Sequence, residues 1–364
     1  MKINSISSTV LINVNGGFLN GMGSIKLSQG DITKVKQFVH DGEYYAYLSA
    51  QAYKKMLRDT INHDIGEFGY YDRLYQKKYT KSEFKNLGGK WVDPVVFFED
   101  DVFGYSHPLF NQPEQSDQLR YNVVSINRTS PLLATNFVSM MKNKINIENG
   151  FLHLRDDTPL PYTTEFTSDY FTGSVILNLN RVGIFKNYGD TYEIDPDIAS
   201  YHLKNKALEI VQDDPDMQVY QLINRENRLK ETVKTYFDSL LNLNGGAKQS
   251  QFAVDLTPRI IITVGQKGAD NPFRSILSSK NGIIFIDTDK LTSIILERGH
   301  TFSSDVYIGY RKGTFTSIME KILYNCDGKE IFPTRSPDKS VKIHVVSPGE
   351  IKDRLLNLIE KGGN

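Results

Sequence analysis

Ser49, Gln51, Lys54, Lys55 and Arg58 crowd into the stretch SAQAYKKMLR. A hydroxyl, an amide and three cations suit sequence-independent contacts to phosphate and sugar, which need donors and positive charge but no base-reading geometry. Three further segments carry the same chemistry beside small residues. Lys26 and Gln29 lie in a glycine-rich run after residue 16, Arg128 opens RTSPL, and Gly245, Gly246, Ala247, Lys248 and Gln249 form GGAKQ. Each has a plainer reading as well. The first could be the solvated face of a helix, and Gly245 could simply end the helix before it. Taken one at a time, the segments leave both readings open.

Other chemistries lack their residues. GGAKQS and LGGKW miss the G-x-x-x-x-G-K-[ST] frame, and NGMGSIK lacks the third glycine of a dinucleotide fingerprint. A phosphate-cradling loop also precedes its helix, whereas Gly245 follows one. The histidines, at 40, 63, 107, 153, 202, 300 and 344, form no H-x-x-x-H pair. The acidic clusters at 99–101, 156–157, 213–214 and 287/289 suit turns. No G-x-S-x-G elbow is present. The expectation is a protein without cofactor, metal or catalytic residue.

The composition fits a soluble globular chain. Of 364 residues, 39% are hydrophobic and 24% charged, enough for one large domain or two ordinary ones. Lysine plus arginine equals aspartate plus glutamate at 43 each, so a polyanion site must come from local clustering, not bulk charge. Cys326 is the only cysteine, which excludes an internal disulfide framework and a thiolate zinc cluster. The N-terminus has no continuous apolar signal segment, and no run of eighteen apolar residues occurs. A cytoplasmic protein without membrane contact is expected.

The elements that must position these side chains emerge from periodicity. INSISSTVLINVNGGF alternates and reads as a strand, succeeded by a long loop through residue 38. Residues 44–48 read as a strand and Ser49 as the N-cap of a helix whose apolar positions are Tyr53, Met56/Leu57 and Thr60/Ile61. Residues 62–118 are polar and irregular and read as a partly helical insertion. LRYNVVSINR reads as a strand, 129–166 as a long connection, and 169–185 as another strand. Residues 222–243 carry the strongest amphipathic stripe, ending at Gly245, and RIIITV is a buried strand. Beyond it lie further strands and a charged terminal helix from about Gly349. The order strand, helix, strand, strand, helix, strand is the split βαβ, or ferredoxin-like, plan, which an RNA-recognition motif shares. The aromatic signature of an ordinary RNA-recognition motif is missing.

In combination and in order, YLSAQAYKKMLRDTI, NRTSPLLATNF, YFTGSVILNLNRVGIF and GGAKQSQFAVDLTPRIII resemble the backbone subunit of type I CRISPR surveillance complexes (Cascade). This is the Cas-seven family, in its DevR-like, type I-B branch. The resemblance covers about residues 1–265 and leaves the last hundred unmatched. It implies an α+β fold: a modified RNA-recognition-motif palm (1–61 and 119–265, with 129–168 as the thumb connection), a helical fingers insertion (62–118), a thumb hairpin, and a C-terminal α/β extension (266–364) packed on the palm. It implies a non-catalytic subunit that repeats head-to-tail along a guide RNA (crRNA) in antiviral defence. Each copy presents the spacer for pairing with target DNA, alongside other Cascade subunits. The RNA-binding residues implied are Lys26, Gln29, Ser49, Gln51, Lys54, Lys55, Arg58, Arg128, Gly245, Gly246, Ala247, Lys248 and Gln249. A second implication comes from type III relatives, whose backbone subunits cut RNA with a metal-assisted Asp after the first strand. Asp31, expected in the loop after strand one, is the candidate here.

Overall fold

The structure is a computed structural model that describes residues 3–27, 30–64, 92–109, 124–152 and 160–362. The strand β1 (Ser5–Gly17) is buried along most of its length, because both of its faces are covered. Ile6, Val10, Ile12 and Val14 face one apolar cluster, while Leu11 faces another. Ser7 and Thr9 share the second face, where their hydroxyls donate to the carbonyls of Asp270 and Phe273 at 2.6 and 2.9 Å. Polar residues buried on a central strand are acceptable only when bonded in this way.

After β1 come β2 (Gly21–Leu27), β3 (Gly30–Val35), β4 (Gln37–His40), β5 (Glu43–Leu48) and α1 (Ala50–Asp64). Next are α2 (Phe98–Phe103), β6 (Tyr105–Leu109), β7 (Val124–Arg128), β8 (Leu132–Ala134), β9 (Phe137–Ser139), β10 (Ile145–Leu152) and β11 (Leu160–Asn178). Then come β12 (Ile184–Tyr188), β13 (Thr191–Tyr192), α3 (Pro196–Lys204), β14 (Leu208–Asp214), β15 (Met217–Leu222), α4 (Arg225–Leu241) and α5 (Gln249–Phe252). The C-terminal part holds β16 (Pro258–Gln266), β17 (Leu277–Lys280), β18 (Ile283–Ile286), α6 (Thr288–Arg298), β19 (Phe302–Tyr310), α7 (Ser317–Cys326), β20 (Glu330–Ile331), β21 (Val341–Val346) and α8 (Pro348–Gly362).

The fold is mixed α+β. At its centre β1 lies between β16 and β11, and β11 pairs in turn with β8 and β9, all antiparallel. α1 connects β1 to β8, α4 connects β11 to β16, and both pack on one face through Tyr53, Leu57, Val233, Phe237 and Leu240. That is the split βαβ plan. Gly173 on β11 lets α1 seat closely: a Cβ there would lie 2.5 Å from the Phe137 ring, which itself stacks on Tyr53 at 4.1 Å.

Several expected elements differ. The stretch after β1 is not a loop, since β2 and β3 pair as a hairpin with Lys26 opposite Asp31, and β3 runs parallel to β11 at residues 162–164. Asp31 is therefore a strand residue. Residues 124–128 do not supply the second strand of the central plan. They sit in a six-stranded sheet in the order β14-β15-β12-β13-β7-β6, and the role falls to the short β8 and β9. The expected strand 169–185 is two strands in two sheets, separated by a turn at 179–183. The connection expected at 129–166 is mostly strand, because β10 and the first half of β11 form a hairpin. Of the insertion expected at 62–118, residues 65–91 and 110–118 lie outside the described residues, as does Gln29.

Beyond Gln266 the chain widens the central sheet instead of leaving it. β19 pairs antiparallel with β16, β21 parallel with β19, and β20 closes that edge. α6 and α7 bury Leu291, Ile295, Met319 and Leu323 against Ile260, Ile262 and Val264. α8 crosses to the other face, where Ile351 and Leu355 join the cluster around α1 and α4. α6 and α7 are not legible as helices in the sequence, being short and flanked by strands.

Candidate nucleic-acid interface

Parts of all four expected segments converge. Ser49 caps α1: its Oγ accepts from the amide of Ala52 at 3.3 Å. The same oxygen accepts from Nδ2 of Asn20 at 3.2 Å, which fastens the Phe18–Asn20 turn after β1 to the start of the helix. Asn136 contributes a second cap, its Oδ1 accepting from the Ala50 amide at 3.0 Å. The GGAKQ loop docks on the same turn, with the Ala247 amide donating to the Leu19 carbonyl at 3.0 Å. It is also held along α1, where Thr60 Oγ1 accepts from the Asn244 amide at 3.1 Å.

The helix before the loop stops earlier than its periodicity suggests, at Leu241 with Asn242 as the cap. Gly245 is thus not the residue that ends it. Its role is close approach: at φ 151° a Cβ would sit 2.6 Å from Cγ of Met56 on α1. Lys248 adopts a left-handed φ of 55° and opens the short helix α5. Its ammonium donates to Thr164 Oγ1 on β11 at 2.6 Å and lies 5.5 and 5.9 Å from the ring centres of Phe18 and Tyr162.

The electrostatics of the two central lysines are alike. Lys54 donates to Ser130 Oγ at 2.7 Å, and burial, followed by the nearby Arg58, lowers its pKa from 10.5 to about 8. Burial also lowers the pKa of Lys248, against a raising influence from Glu148. Their hydrogen-bond partners are hydroxyls, and among the described residues neither lysine, nor Arg58, forms an ion pair. Lys54 and Arg58 stand at i and i+4 on one flank of α1, where like charges repel. Two amide atoms nearby, Asn20 Oδ1 and Gln249 Nε2, are buried with no partner among the described residues.

The remaining expected residues separate. Gln51 is exposed on α1, and Lys55 is exposed and paired with Asp59 one turn on. Lys26 lies on β2. Arg128 is corrected outright as a ligand contact, because its side chain is 0% exposed and its donors are consumed internally. It pairs with Asp101, donates to the carbonyls of Asp101, Ile184 and Arg181 at 2.8–2.9 Å, and stacks over Phe185 at 4.5 Å. The polar side chain of that segment bonded to α1 is Ser130. Ser130, Asn20, Asn136 and Thr164 escape sequence reasoning, since single hydroxyls and amides far apart in sequence carry no periodic signal.

No family model matches the chain, and no curated protein matches it in sequence. Among solved structures it is similar to a chain of a "CRISPR RNA-guided surveillance complex", at 10% identity and a TM-score of 0.49, covering 97% of this chain and 98% of the other. A chain of a complex described as "pre-nicking" gives the same identity and score, covering 98% and 99%. No described helix is long and apolar enough to cross a membrane.

Proposed function

We propose that this chain is a non-catalytic, guide-RNA-binding subunit of a CRISPR surveillance complex, repeated along the guide, which presents the spacer for pairing with target DNA. The observation that supports it is the convergence of α1, the Phe18–Asn20 turn and the GGAKQ loop. Together they hold Lys54 and Lys248 on hydroxyl partners, with Arg58 beside Lys54, and none of the three is ion-paired among the described residues. Cations arranged in this way are suited to phosphates, whose negative charge offsets their mutual repulsion and their desolvation. Hydroxyl, amide and backbone donors around them read no base, which is what a subunit accepting any spacer requires.

Co-expression with a guide RNA tests the proposal. The double variant Lys54→Gln, Lys248→Gln is expected to stay folded and to lose most co-purifying RNA, read as the A260/A280 ratio. RNA retention equal to wild type would overturn it. The non-catalytic part is tested by incubating the complex with complementary RNA and magnesium. Regular cleavage abolished by Asp31→Ala would establish the ribonuclease reading instead.

A further inference from the structure

The central sheet has one face under α1 and α4 and a second face that the C-terminal region covers only in part. Register fixes which side chains share that second face. Leu11 stands opposite Thr172, Thr172 opposite Val138, and Val138 opposite Tyr47. Over β1 and β16 the face is closed by Phe273, α6 and α7. Farther out, Tyr170 is stacked against Phe315 at 6.4 Å. On β5 and β4 the cover ends. Ala46 and Leu48 point into the core, so Tyr45 and Tyr47 point the other way, and Phe38 stands opposite Tyr45. Phe38 stacks on Tyr45 at 5.8 Å and 22°, meets Tyr47 edge-on at 6.0 Å, and is 39% exposed. His40 continues the row, 6.4 Å from Tyr45.

An aromatic row on the uncovered β4–β5 end of that face offers planar rings of the kind on which single-stranded bases stack. The row is continuous with the candidate phosphate site. Tyr47 leads through Leu48 into Ser49, and its amide donates to the Lys36 carbonyl while the Lys36 amide donates to the carbonyl of Asn20. Glu43, at the start of β5, is already paired with Lys142 and bonded to Asn143. We infer that Phe38, Tyr45 and Tyr47 form a stacking platform for unpaired bases of a single-stranded nucleic acid. The platform rests on the nucleic-acid reading and extends it to a second surface that works through bases, not phosphates.

The test is fluorescence anisotropy of the full chain with a labelled oligouridine, an oligothymidine, and an abasic oligomer of equal length. Phe38→Ala, Tyr45→Ala, Tyr47→Ala together should weaken binding to the base-bearing strands by about fivefold or more and leave the abasic strand unaffected. The aromatic exchange Phe38→Tyr, Tyr45→Phe should keep wild-type affinity. A stronger loss with oligouridine would name RNA as the occupant, and with oligothymidine, DNA. Equal weakening on the abasic strand would overturn the platform, as would wild-type affinity accompanied by loss of self-association, which would make the row a protein contact. The variant Lys54→Gln, Lys248→Gln separates the two sites. If it abolishes binding while the alanine triple binds the base-bearing strands with wild-type affinity, the platform fails and the phosphate site stands.

Discussion

Lys54 ties the candidate site to proton concentration. Its pKa is about 8 in the folded chain against 10.5 ordinarily, so between those values the unfolded chain holds more protons and stability rises with pH. Phosphate binding needs the charged form. RNA affinity is therefore expected to fall as pH rises through about 8, while Lys54→Arg, which stays charged, should hold its affinity to higher pH; anisotropy titrations across about pH 7–9.5 check both. Gly245 makes a different demand. Gly245→Ala meets both an unfavourable φ and Met56, and should cost about 1–3 kcal/mol in a denaturant melt. Adding Met56→Ala should return only part of that, because it clears the contact and not the backbone. The motif residues of α1 and the loop are legible because cations beside small residues are a local pattern. Their partners Asn20, Ser130 and Thr164 are not, since a hydrogen bond across the fold leaves no trace in spacing.

Arg128 belongs to the scale of elements, because its contacts join α2, β7 and β12, and Asp101 carries the network on to Arg228 of α4 at 3.2 Å. Glu193 adds a second carboxylate, bridged also by Arg181. Arg128→Met leaves the buried Asp101 with Arg228 as its remaining cation and should cost about 3 kcal/mol of stability, measured by chemical denaturation. Its effect on RNA affinity at temperatures where the variant stays folded should be small, which a true phosphate contact would not show. In the sequence this arginine reads as a ligand contact because it opens a loop beside small polar residues. What buries it is Asp101, 27 residues earlier, within a segment whose acids read as a solvated turn. Long amphipathic elements such as α1 and α4 are legible from their apolar stripes. β8 and β9 are not, being too short for alternation to register, and tertiary pairing, of both with β11 and of β9 with β5, defines them.

For the molecule as a whole, the four-strand plan is legible and its extent is not. Nothing in the pattern of residues 267–364 says that β19 continues the sheet at β16, since an edge strand and an inner strand differ only in what lies beside them. A chain ended at Gln266 would expose Ile260, Ile262 and Val264 and leave β16 as an unpaired edge. Such a truncation is expected to be insoluble when expressed, by centrifugation of lysate, even though it retains every residue of the proposed RNA site. α8 adds a reason on the other face, because Lys352 bonds Asp238 of α4 at 2.7 Å and Ile351 packs into the cluster beneath it.

The long strand β11 has a mechanical corollary. Its C-terminal half is locked to β1 through Asn178↔Ser5 to Thr167↔Gly17, and its N-terminal half carries β10 and β3 and brings Thr164 to Lys248. One unbroken strand thus serves as both axle and arm. A pull on the hairpin arm would be transmitted as shear along β1, not taken up by a hinge. A single residue inserted near Ser168 would turn over every side chain of the arm at once. Thr164 would then face away from Lys248, and the proposed phosphate site would lose the partner that holds Lys248 without any change to the cations themselves.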